Sequence, residues 1–596
     1  MGKLPFILKQ IRKGAGYLLP LFSVVSIIVL IYDIGFQHSK EAKNLLETYY
    51  YWFVFIAFVL LLLRVDYIGV IKRKVKYTTI ELILFFSFAG IWILQYFLRS
   101  FLIDDHPLRY LLDLYIIDIL MIVLLFVVEI SIGSLNLGKF SQNPAIVFLI
   151  SFVLLIVIGT LLLLLPNSTN IELSVIDALF TSTSAVCVTG LIVVDTATAF
   201  TPMGQTIILV LIQAGGIGIL TFTSFFGMYL RTSSSFQSQL MLGDMLNEDR
   251  MSDIFKNLVR VIVFTISIEL IFAGFLYVTL DPLEFSSDAD MIRFSIFHSI
   301  SAFCNAGFST MSDGLYDSTL RYNYSFLLLI ATLVVIGGLG FNIIFNFFRY
   351  MKYKMRMLFH AIVSHKPLAY RPRIINVHSK IVTLTTVFLL VFGTIMYLLL
   401  EKHHTLADHG PFGKVVTAFF GAVTPRTAGF NTVDMTLLAP ATIIIYFLLM
   451  LIGGSPGSTA GGIKTTTFAV TVMNVYSLAR GKNRIEIFRR ELSIGSIRRA
   501  FAVISISLLI IGLSVFMLHV LQPELDSTKV LFECISAFCT VGLTLGITPE
   551  LHAASKVVII FTMLLGRIGT LTILLALFRK VSTLSYRYPT ESILIS

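Results

Sequence analysis

The sequence predicts an all-α membrane protein in which four similar units surround one pore and four further spans precede them. Its 596 residues are 56% hydrophobic and only 13% charged, which is too apolar for a soluble chain of this length. Apolar runs of roughly 20 residues, enough to cross a bilayer, recur along it. A short sequence motif, which we call the glycine phrase, also occurs four times. Its glycines lie at intervals of 117, 122 and 113 residues, and such a period indicates repeated units. These glycines are Gly190, Gly307, Gly429 and Gly542.

The basic charge of the chain fits cytoplasmic loops better than a nucleic-acid surface. The formal net charge is +11, and Lys and Arg are concentrated at the N-terminus and near 64–76, 349–373 and 480–499. In a twelve-span arrangement all these segments lie on one side, which the positive-inside rule assigns to the cytoplasm together with both termini. The first apolar run lacks a small-residue cleavage site, so we interpret it as a span and not as a signal peptide.

Residues 1–140 form a predicted four-span region. Its fourth span places Asp118 and Glu129 on one face, because they are about three helical turns apart, whereas Asp113 points away and is expected at the interface. The aligned pair fits either an ion or proton relay or packing against a polar neighbour. The span has no arginine ladder, which argues against a voltage sensor. The expected spans are 17–36, 49–65, 79–98 and 111–132.

The four later units share one predicted order: a span, a short helix, the glycine phrase, and a second span with a glycine-rich inner half. The units are 141–250, 251–375, 376–490 and 491–596. Their short helices are expected over 176–186, 294–303, 415–423 and 530–538. Their spans are 145–166 and 204–230, 255–280 and 323–349, 378–400 and 438–475, and 497–520 and 554–578, which makes twelve spans in all.

The repeated phrases predict a selectivity filter. A cation that enters hydrocarbon must replace its water, and inward-facing backbone carbonyls can do this. Glycine allows the positive φ or close approach that such a loop needs, and irregular backbone is tolerated at membrane depth only inside protein or beside a wet cavity. The short helices would direct their negative C-terminal ends at the ion. The expected filter residues are Val188, Thr189, Gly190, Asn305, Ala306, Gly307, Thr427, Ala428, Gly429, Thr540, Val541 and Gly542.

A second glycine cluster follows each phrase, and in the third unit it becomes a run that no regular helix can sustain. Apolar stretches flank this run, so we expect a break at membrane depth that could act as a gate; a hinge or a cytoplasmic loop is the alternative. Lys464 either joins the gate or begins the cytoplasmic half of its helix. Inserting a charged side chain at the centre of a membrane helix costs about 2.5–3.5 kcal/mol. Arg567, which lies in an apolar span, is therefore expected beside the conduction path or paired with a carboxylate such as Glu269. The expected gate residues are Gly453, Gly454, Ser455, Pro456, Gly457, Ser458, Thr459, Ala460, Gly461, Gly462, Lys464 and Arg567.

Several other polar residues are expected to have structural roles. Glu269 lies in mid-span, where a hydrogen bond between helices is its expected role. Asp177, His298 and Glu533 lie on the short helices and would anchor them. The four cysteines are interpreted as small residues lining or backing the filter, and not as a disulfide framework or a metal site. They are Cys187, Cys304, Cys534 and Cys539.

Together these motifs resemble the Trk/Ktr/HKT superfamily of potassium transporters over about 145–580. The resemblance implies that the run 453–464 is the family's intramembrane gating loop and that Arg567 is its arginine below the filter. It also implies a homodimer with one pore per subunit, seated on a cytosolic nucleotide-binding ring of regulator-of-K⁺-conductance folds, in the cytoplasmic membrane. The family's filter phrases stand here at 188–191, 305–308, 427–430 and 540–543.

The expected function is K⁺ uptake by electrodiffusion, with coupling to Na⁺ or H⁺ left open. Glycine at all four filter positions resembles the K⁺-selective members. A Na⁺-preferring or weakly selective pathway is the first alternative, because Cys304 and Cys539 stand where the family pattern has Asn or Gly. An alternating-access carrier of a small solute is less favoured, since the four units all enter from one side. We find neither a catalytic set nor a nucleotide-binding glycine motif, so no enzymatic activity and no cofactor of its own are expected, and membrane lipids are the remaining partners.

Overall fold

The protein is a mostly helical multi-pass membrane protein. Within the described residues one small sheet occurs, the antiparallel pair of β1 (Glu486–Ile487) and β2 (Arg490–Glu491). Five of the described helices are long and apolar enough to cross a membrane, or six if one bent pair counts as a single span, and shorter apolar helices accompany them. The computed structural model describes residues 3–64, 84–93, 114–137, 144–218, 251–363, 375–482 and 484–569.

The N-terminal region has a hydrophobic core of its own, which includes Phe53, Phe88 and Ile122. Its first two helices begin earlier than the predicted spans 17–36 and 49–65, because hydropathy marks only the apolar part of a helix, while Lys, Glu and Gln are also good helix formers. The predicted third span, 79–98, lies partly outside the described residues. The helices are α1 (Lys3–Gly35), α2 (Lys40–Arg64), α3 (Leu84–Ile93) and α4 (Leu114–Leu137).

A partly buried ion pair joins α2 to α4 in this bundle. The Arg64 guanidinium lies 2.6 Å from Glu129 Oε1, and Glu129 is almost fully buried. Of the two roles considered for the acidic face of α4, this contact supports packing of Glu129 against a polar neighbour. The bundle meets the first unit at the C-terminal end of α1, where Asn167 Nδ2 donates to the carbonyl of Ile34 at 3.0 Å.

Each later unit has an outer helix, a short helix and an inner helix, and in the second and third units a further helix follows the inner one. The first unit contains α5 (Pro144–Leu163), α6 (Val175–Cys187), α7 (Thr196–Ala199) and α8 (Pro202–Ile217). The second contains α9 (Met251–Thr279), α10 (Asp288–Cys304), α11 (Tyr324–Leu339) and α12 (Phe341–Val363). The third contains α13 (Val377–Glu401), α14 (Pro411–Val423), α15 (Pro440–Leu451) and α16 (Thr465–Ala479), and the fourth contains α17 (Ile494–Leu521), α18 (Ser527–Cys539) and α19 (Ala553–Ile568).

The short helices α6, α10, α14 and α18 begin with polar caps or proline. Ser174, Ser287 and Asp526 each accept a hydrogen bond from the backbone N–H three residues later, and Pro411 occupies the first position of α14. For this reason α10 begins at Asp288, well before the predicted start at residue 294, which followed only the apolar residues.

Three inner helices end or bend within spans that the sequence predicted as continuous. The predicted span 323–349 bends by 100° between α11 and α12, at Gly340. Helices α8 and α19 end likewise before Gly218 and Gly569, and the continuations of their predicted spans lie outside the described residues. Gly218, Gly340 and Gly569 have φ values of 83°, 85° and 87°, and a residue with such a φ cannot lie inside a right-handed helix. A hydropathy pattern does not reveal this, because the sequence there is an unbroken apolar run. The interruption predicted for the third unit alone therefore also occurs in the second, and within the described residues the inner helices of the first and fourth units end at a glycine of the same conformation.

Two hydrophobic cores hold the four units together. One joins α5, α6 and α8 of the first unit to the second unit and to the phrase of the third. The other joins the third and fourth units to the first, through Phe180, Cys187 and Leu191. Because the first unit contributes to both cores, the units close into a ring and do not form an open row.

Candidate ion-conducting site

A turn with one left-handed residue follows each short helix. The residue two before each glycine is left-handed: φ is 55° at Val188, 60° at Asn305, 73° at Thr427 and 51° at Thr540. Three of these four residues are β-branched, for which positive φ is a genuine outlier. Such strain persists only where the surrounding structure imposes it, and it is common at functional sites.

Backbone hydrogen bonds hold these turns. In three units the N–H of the residue before the glycine donates to a carbonyl in the last turn of the short helix: Thr189 to Ser184, Ala306 to Ser301 and Val541 to Ser536, at 2.7–2.8 Å. In the third unit Ala428 donates to the carbonyl of Thr424 at 3.0 Å. The bonds fix the orientation of the peptide groups immediately before each glycine.

The four glycines lie side by side in a closed ring, which we call the glycine ring. A side-chain carbon built on Gly307 would lie 2.8 Å from the carbonyl oxygen of Ala428 and 3.0 Å from the Cα of Gly429. One built on Gly542 would lie 3.0 Å from the Cα of Gly190. In every case the contact is the oxygen of the residue before the next unit's glycine: Ala306 for Gly190, Ala428 for Gly307, Val541 for Gly429 and Thr189 for Gly542. All twelve residues expected at the filter thus belong to turns that meet one another.

Hydroxyl groups of the short helices support these turns. Gly190 N–H donates to Ser184 Oγ and Gly542 N–H to Ser536 Oγ, both at 3.1 Å. Ser301 Oγ donates to the carbonyl of Phe308 at 2.8 Å, just beyond the glycine of the second unit. These serines were not predicted as site residues from the sequence, although each stands six residues before its glycine, and this fixed offset is a signal that could have revealed them.

The second glycine clusters let the inner helices approach the ends of the short helices. A carbon built on Gly215, Gly337 or Gly566 would collide with the carbonyl oxygen of Val186, Phe303 or Phe538 respectively, the residue just before the last one of the short helix. Gly216 packs in the same way against Cys304 Sγ. All four cysteines are free thiols and buried.

The run 453–464, which we call the inner loop, is closed at its base. Gly453 N–H donates to the carbonyl of Ile463 at 2.9 Å, and Thr465 N–H donates to that of Gly454 at 3.0 Å. Most of the loop is buried, with Gly457 exposed at its turn. This burial fits the expected break inside the protein and does not fit a free cytoplasmic loop.

The inner loop also contacts the second and fourth units. Ser455 N–H donates to the carbonyl of Gly338 at 2.9 Å, and Thr459 Oγ1 donates to that of Phe303 at 3.2 Å. Gly461 and Gly462 pack against Cys539, directly behind the turn of the fourth unit. The loop therefore lies against the ends of two short helices.

Three cationic side chains donate hydrogen bonds to carbonyl oxygens of the inner loop. Arg426 donates to Gly453 at 3.2 Å, and Lys464 Nζ donates to Ala460 at 2.5 Å. Arg567 donates to the carbonyl of Thr459. None of the three forms an ion pair with a carboxylate among the described residues, so their positive charges are balanced by backbone dipoles. No role for Arg426 was expected from the sequence.

Arg567 links the inner loop to the first unit, since it also donates to the carbonyl of Gly215 at 2.6 Å. It does not contact Glu269, the partner considered for it. Glu269 instead accepts a hydrogen bond from Gln213 Nε2 at 2.9 Å, which joins α9 to α8. This is the helix-to-helix role expected for Glu269.

The polar residues expected to anchor the short helices have partners in the structure. Asp177 Oδ1 lies 2.6 Å from Lys556 Nζ on α19, a contact between the first and fourth units. His298 Nε2 hydrogen-bonds Ser309 Oγ at 2.9 Å, beyond the second glycine. Glu533 accepts hydrogen bonds from two threonines, Thr544 at 2.7 Å and Thr548 at 2.5 Å.

The arrangement is suited to a dehydrated cation. Four short helices end at the glycine ring, so the negative ends of their dipoles meet there. Backbone oxygens lie around the ring, and the three cationic side chains contact the inner loop behind it. Among the described residues no His, Cys, Asp and Glu cluster could hold a metal ion.

Comparisons with known proteins identify the family. Residues 136–583 match the family model TrkH, described as "Cation transport protein". The chain is 39% identical over 454 residues to the Ktr system potassium uptake protein B of Bacillus subtilis, covering 75% of this chain and 95% of that protein. It is 35% identical to the potassium/sodium uptake protein NtpJ of Enterococcus hirae, covering 76% and 97%.

The potassium transporter TrkH from Vibrio parahaemolyticus shares the fold, with a TM-score of 0.57 and 17% identity over 95% of this chain and 98% of that one. The resemblance that the four phrases indicated is therefore confirmed. The chain belongs to the TrkH family of cation transport proteins and is a membrane subunit of the Trk/Ktr superfamily.

Proposed function

We propose that the protein takes up K⁺ across the cytoplasmic membrane through the glycine ring. The single observation that carries this proposal is the closure of the ring, in which each turn places a carbonyl oxygen against the glycine of the next. Such oxygens can replace the hydration shell of a monovalent cation. The relatives named as potassium uptake proteins support K⁺ as the ion.

The inner loop is the proposed gate, and Arg567 is its proposed latch, meaning the side chain whose hydrogen bond keeps the loop in the closed position. It lies behind the turns of the second and fourth units. Arg426 and Arg567 donate to its carbonyl oxygens from outside, and Lys464 donates to a carbonyl within it. A cation leaving the ring toward the cytoplasm would meet this loop and its positive charge. Movement of the loop away from Arg567 would open the path.

Membership of the family supports a proposal for the wider assembly. We propose twelve spans in four pseudo-symmetric units plus the N-terminal four, with both termini in the cytoplasm. Two relatives are named as proteins of a Ktr system, which supports a partner for this chain. The proposed partners are a second copy in a homodimer and a cytosolic nucleotide-binding regulatory ring.

Na⁺ transport or coupling is the second candidate. NtpJ, a potassium/sodium uptake protein, is 35% identical to this chain. Uptake of radioactive rubidium in the presence of increasing Na⁺ separates the candidates, because a K⁺-selective ring is insensitive to Na⁺ and a weakly selective one is inhibited by it.

Growth rescue of a K⁺-uptake-deficient bacterium at low K⁺, with the regulatory partner supplied, tests the proposal. Wild type should restore growth, and Gly307→Ser should impair it because the added carbon collides with Ala428 and Gly429. Gly274→Ser is the matched control, since a carbon at this glycine of α9 meets nothing within 4 Å. Absence of rescue by well-expressed wild type would overturn the K⁺ assignment.

A further inference from the structure

An apolar cavity lies behind the base of the inner loop. It has a volume of about 600 Å³ and lies between α15, α16 and α17. Its lining includes Leu448, Phe468, Val472 and Leu508, together with Ile452 and Ile463. The last two residues pair with each other where the chain enters and leaves the inner loop. The volume is within the range of about 300–1,000 Å³ that is typical of sites for small ligands.

One end of this cavity carries exposed basic residues. Tyr476 and Ala479 line that end, and the guanidinium of the next residue, Arg480, lies 4.5 Å from the centre of the Tyr476 ring. On the facing helix α17, Arg498 and Arg499 come just before the lining residue Ile504. The exposed basic residues of this segment are Arg480, Lys482, Arg484, Arg489, Arg490, Arg498 and Arg499.

The acidic residues of the segment do not neutralise this end. They are Glu486 and Glu491, which lie 4.0 Å from Lys482 and 3.6 Å from Arg484 respectively. All four side chains are at least half exposed, so these pairs are weak and screened. A net positive charge remains beside the opening of an apolar cavity.

We propose that the cavity binds an acyl chain of an anionic phospholipid whose phosphate lies on Arg480 and the arginines at the start of α17. An acyl chain is the apolar ligand that a bilayer supplies. Basic residues next to a membrane helix attract the anionic lipids of the cytoplasmic leaflet, the side to which Lys and Arg assign this segment. If the inner loop is the gate, as proposed above, a bound chain touches its base and alters its opening.

Native mass spectrometry of the full-length protein, incubated with dioleoyl phosphatidylglycerol or with dioleoyl phosphatidylcholine, tests the binding. Wild type should retain phosphatidylglycerol in preference to phosphatidylcholine. Arg480→Gln and Arg499→Gln should each lower phosphatidylglycerol retention about fivefold, the loss expected for one basic residue at a membrane surface. Val472→Trp should lower retention of both lipids by filling the cavity.

Two matched variants control for surface effects. Lys352→Gln removes an exposed basic residue of α12, and Val387→Trp enlarges an exposed apolar residue of α13. Neither should change lipid retention. Equal retention by wild type, test variants and controls would overturn the site.

The other possible occupants give different results. Loss of the dimer in Val472→Trp with unchanged lipid adducts would assign the cavity to a second copy. Loss of the regulatory ring in the arginine variants with unchanged adducts would assign the basic end to that ring, and either result overturns the lipid site. Rubidium uptake is measured separately, in liposomes of each lipid, so that the two proposals can fail independently. Lipid adducts without rubidium uptake would contradict only the K⁺ function. Rubidium uptake without site-specific lipid adducts would contradict only the lipid site.

Discussion

Removal of the Arg567 guanidinium tests the proposed gate most directly. Arg567 donates one hydrogen bond to Thr459 in the inner loop and another to Gly215 in the first unit. If the loop moves on opening, the bond to Thr459 breaks, whereas the bond to Gly215 can persist. A hydrogen bond from a charged donor contributes about 1.5–3 kcal/mol. Its loss should therefore raise the ratio of open to closed loops about 10- to 150-fold, since about 1.4 kcal/mol corresponds to tenfold.

The assay is rubidium uptake into proteoliposomes that contain equal amounts of Arg567→Ala and wild-type protein. We expect Arg567→Ala to increase the initial rate until the ring itself limits flux. Arg567→Lys separates two explanations: a pure charge barrier predicts wild-type flux, because the charge is kept, whereas a latch predicts an intermediate rise, because an ammonium group cannot reproduce the planar fork of donors. Unchanged or lost flux in Arg567→Ala at normal expression would refute the latch.

Two further outcomes follow from the contacts between units. Gly190→Ala should abolish rubidium uptake while Gly307→Ala retains part of it, because the carbon added at Gly190 approaches the neighbouring carbonyl oxygen more closely. The control variant Gly274→Ala should match wild type. Equal loss of uptake in both ring variants would contradict this ranking. Lys556→Met should lower the free energy of unfolding by roughly 1–3 kcal/mol through loss of the pair with Asp177, measured as a lower midpoint of thermal denaturation. The double variant with Asp177→Asn should recover part of that loss, and a double variant less stable than Lys556→Met would show that the pair does not act as a unit.

The sequence was informative wherever a local rule governs the backbone. The apolar spans identified the membrane class, and the period of the glycine phrase identified four units. The phrase also marked the residues whose turns meet, because positive φ at Gly190 or Gly542 is a local requirement that glycine satisfies. The family followed from the same phrases.

Errors arose where hydropathy and geometry disagree. An apolar run through Gly218 or Gly340 has the composition of a continuous span, yet these glycines end or bend the helix. The starts of α2 and α10 were also missed, because polar residues extend a helix beyond its apolar part.

The sequence by itself determined which residues can cross a membrane and where the backbone can turn, since hydropathy and allowed φ angles depend on one residue and its neighbours. Only the tertiary structure decided that the glycine turns close into a ring, that Arg426 and Arg567 hold the inner loop, and that Lys556 pairs with Asp177. These contacts join residues far apart in the chain, and a buried cationic side chain can donate a hydrogen bond to any well-placed oxygen. The packing of the four units selects which oxygen that is.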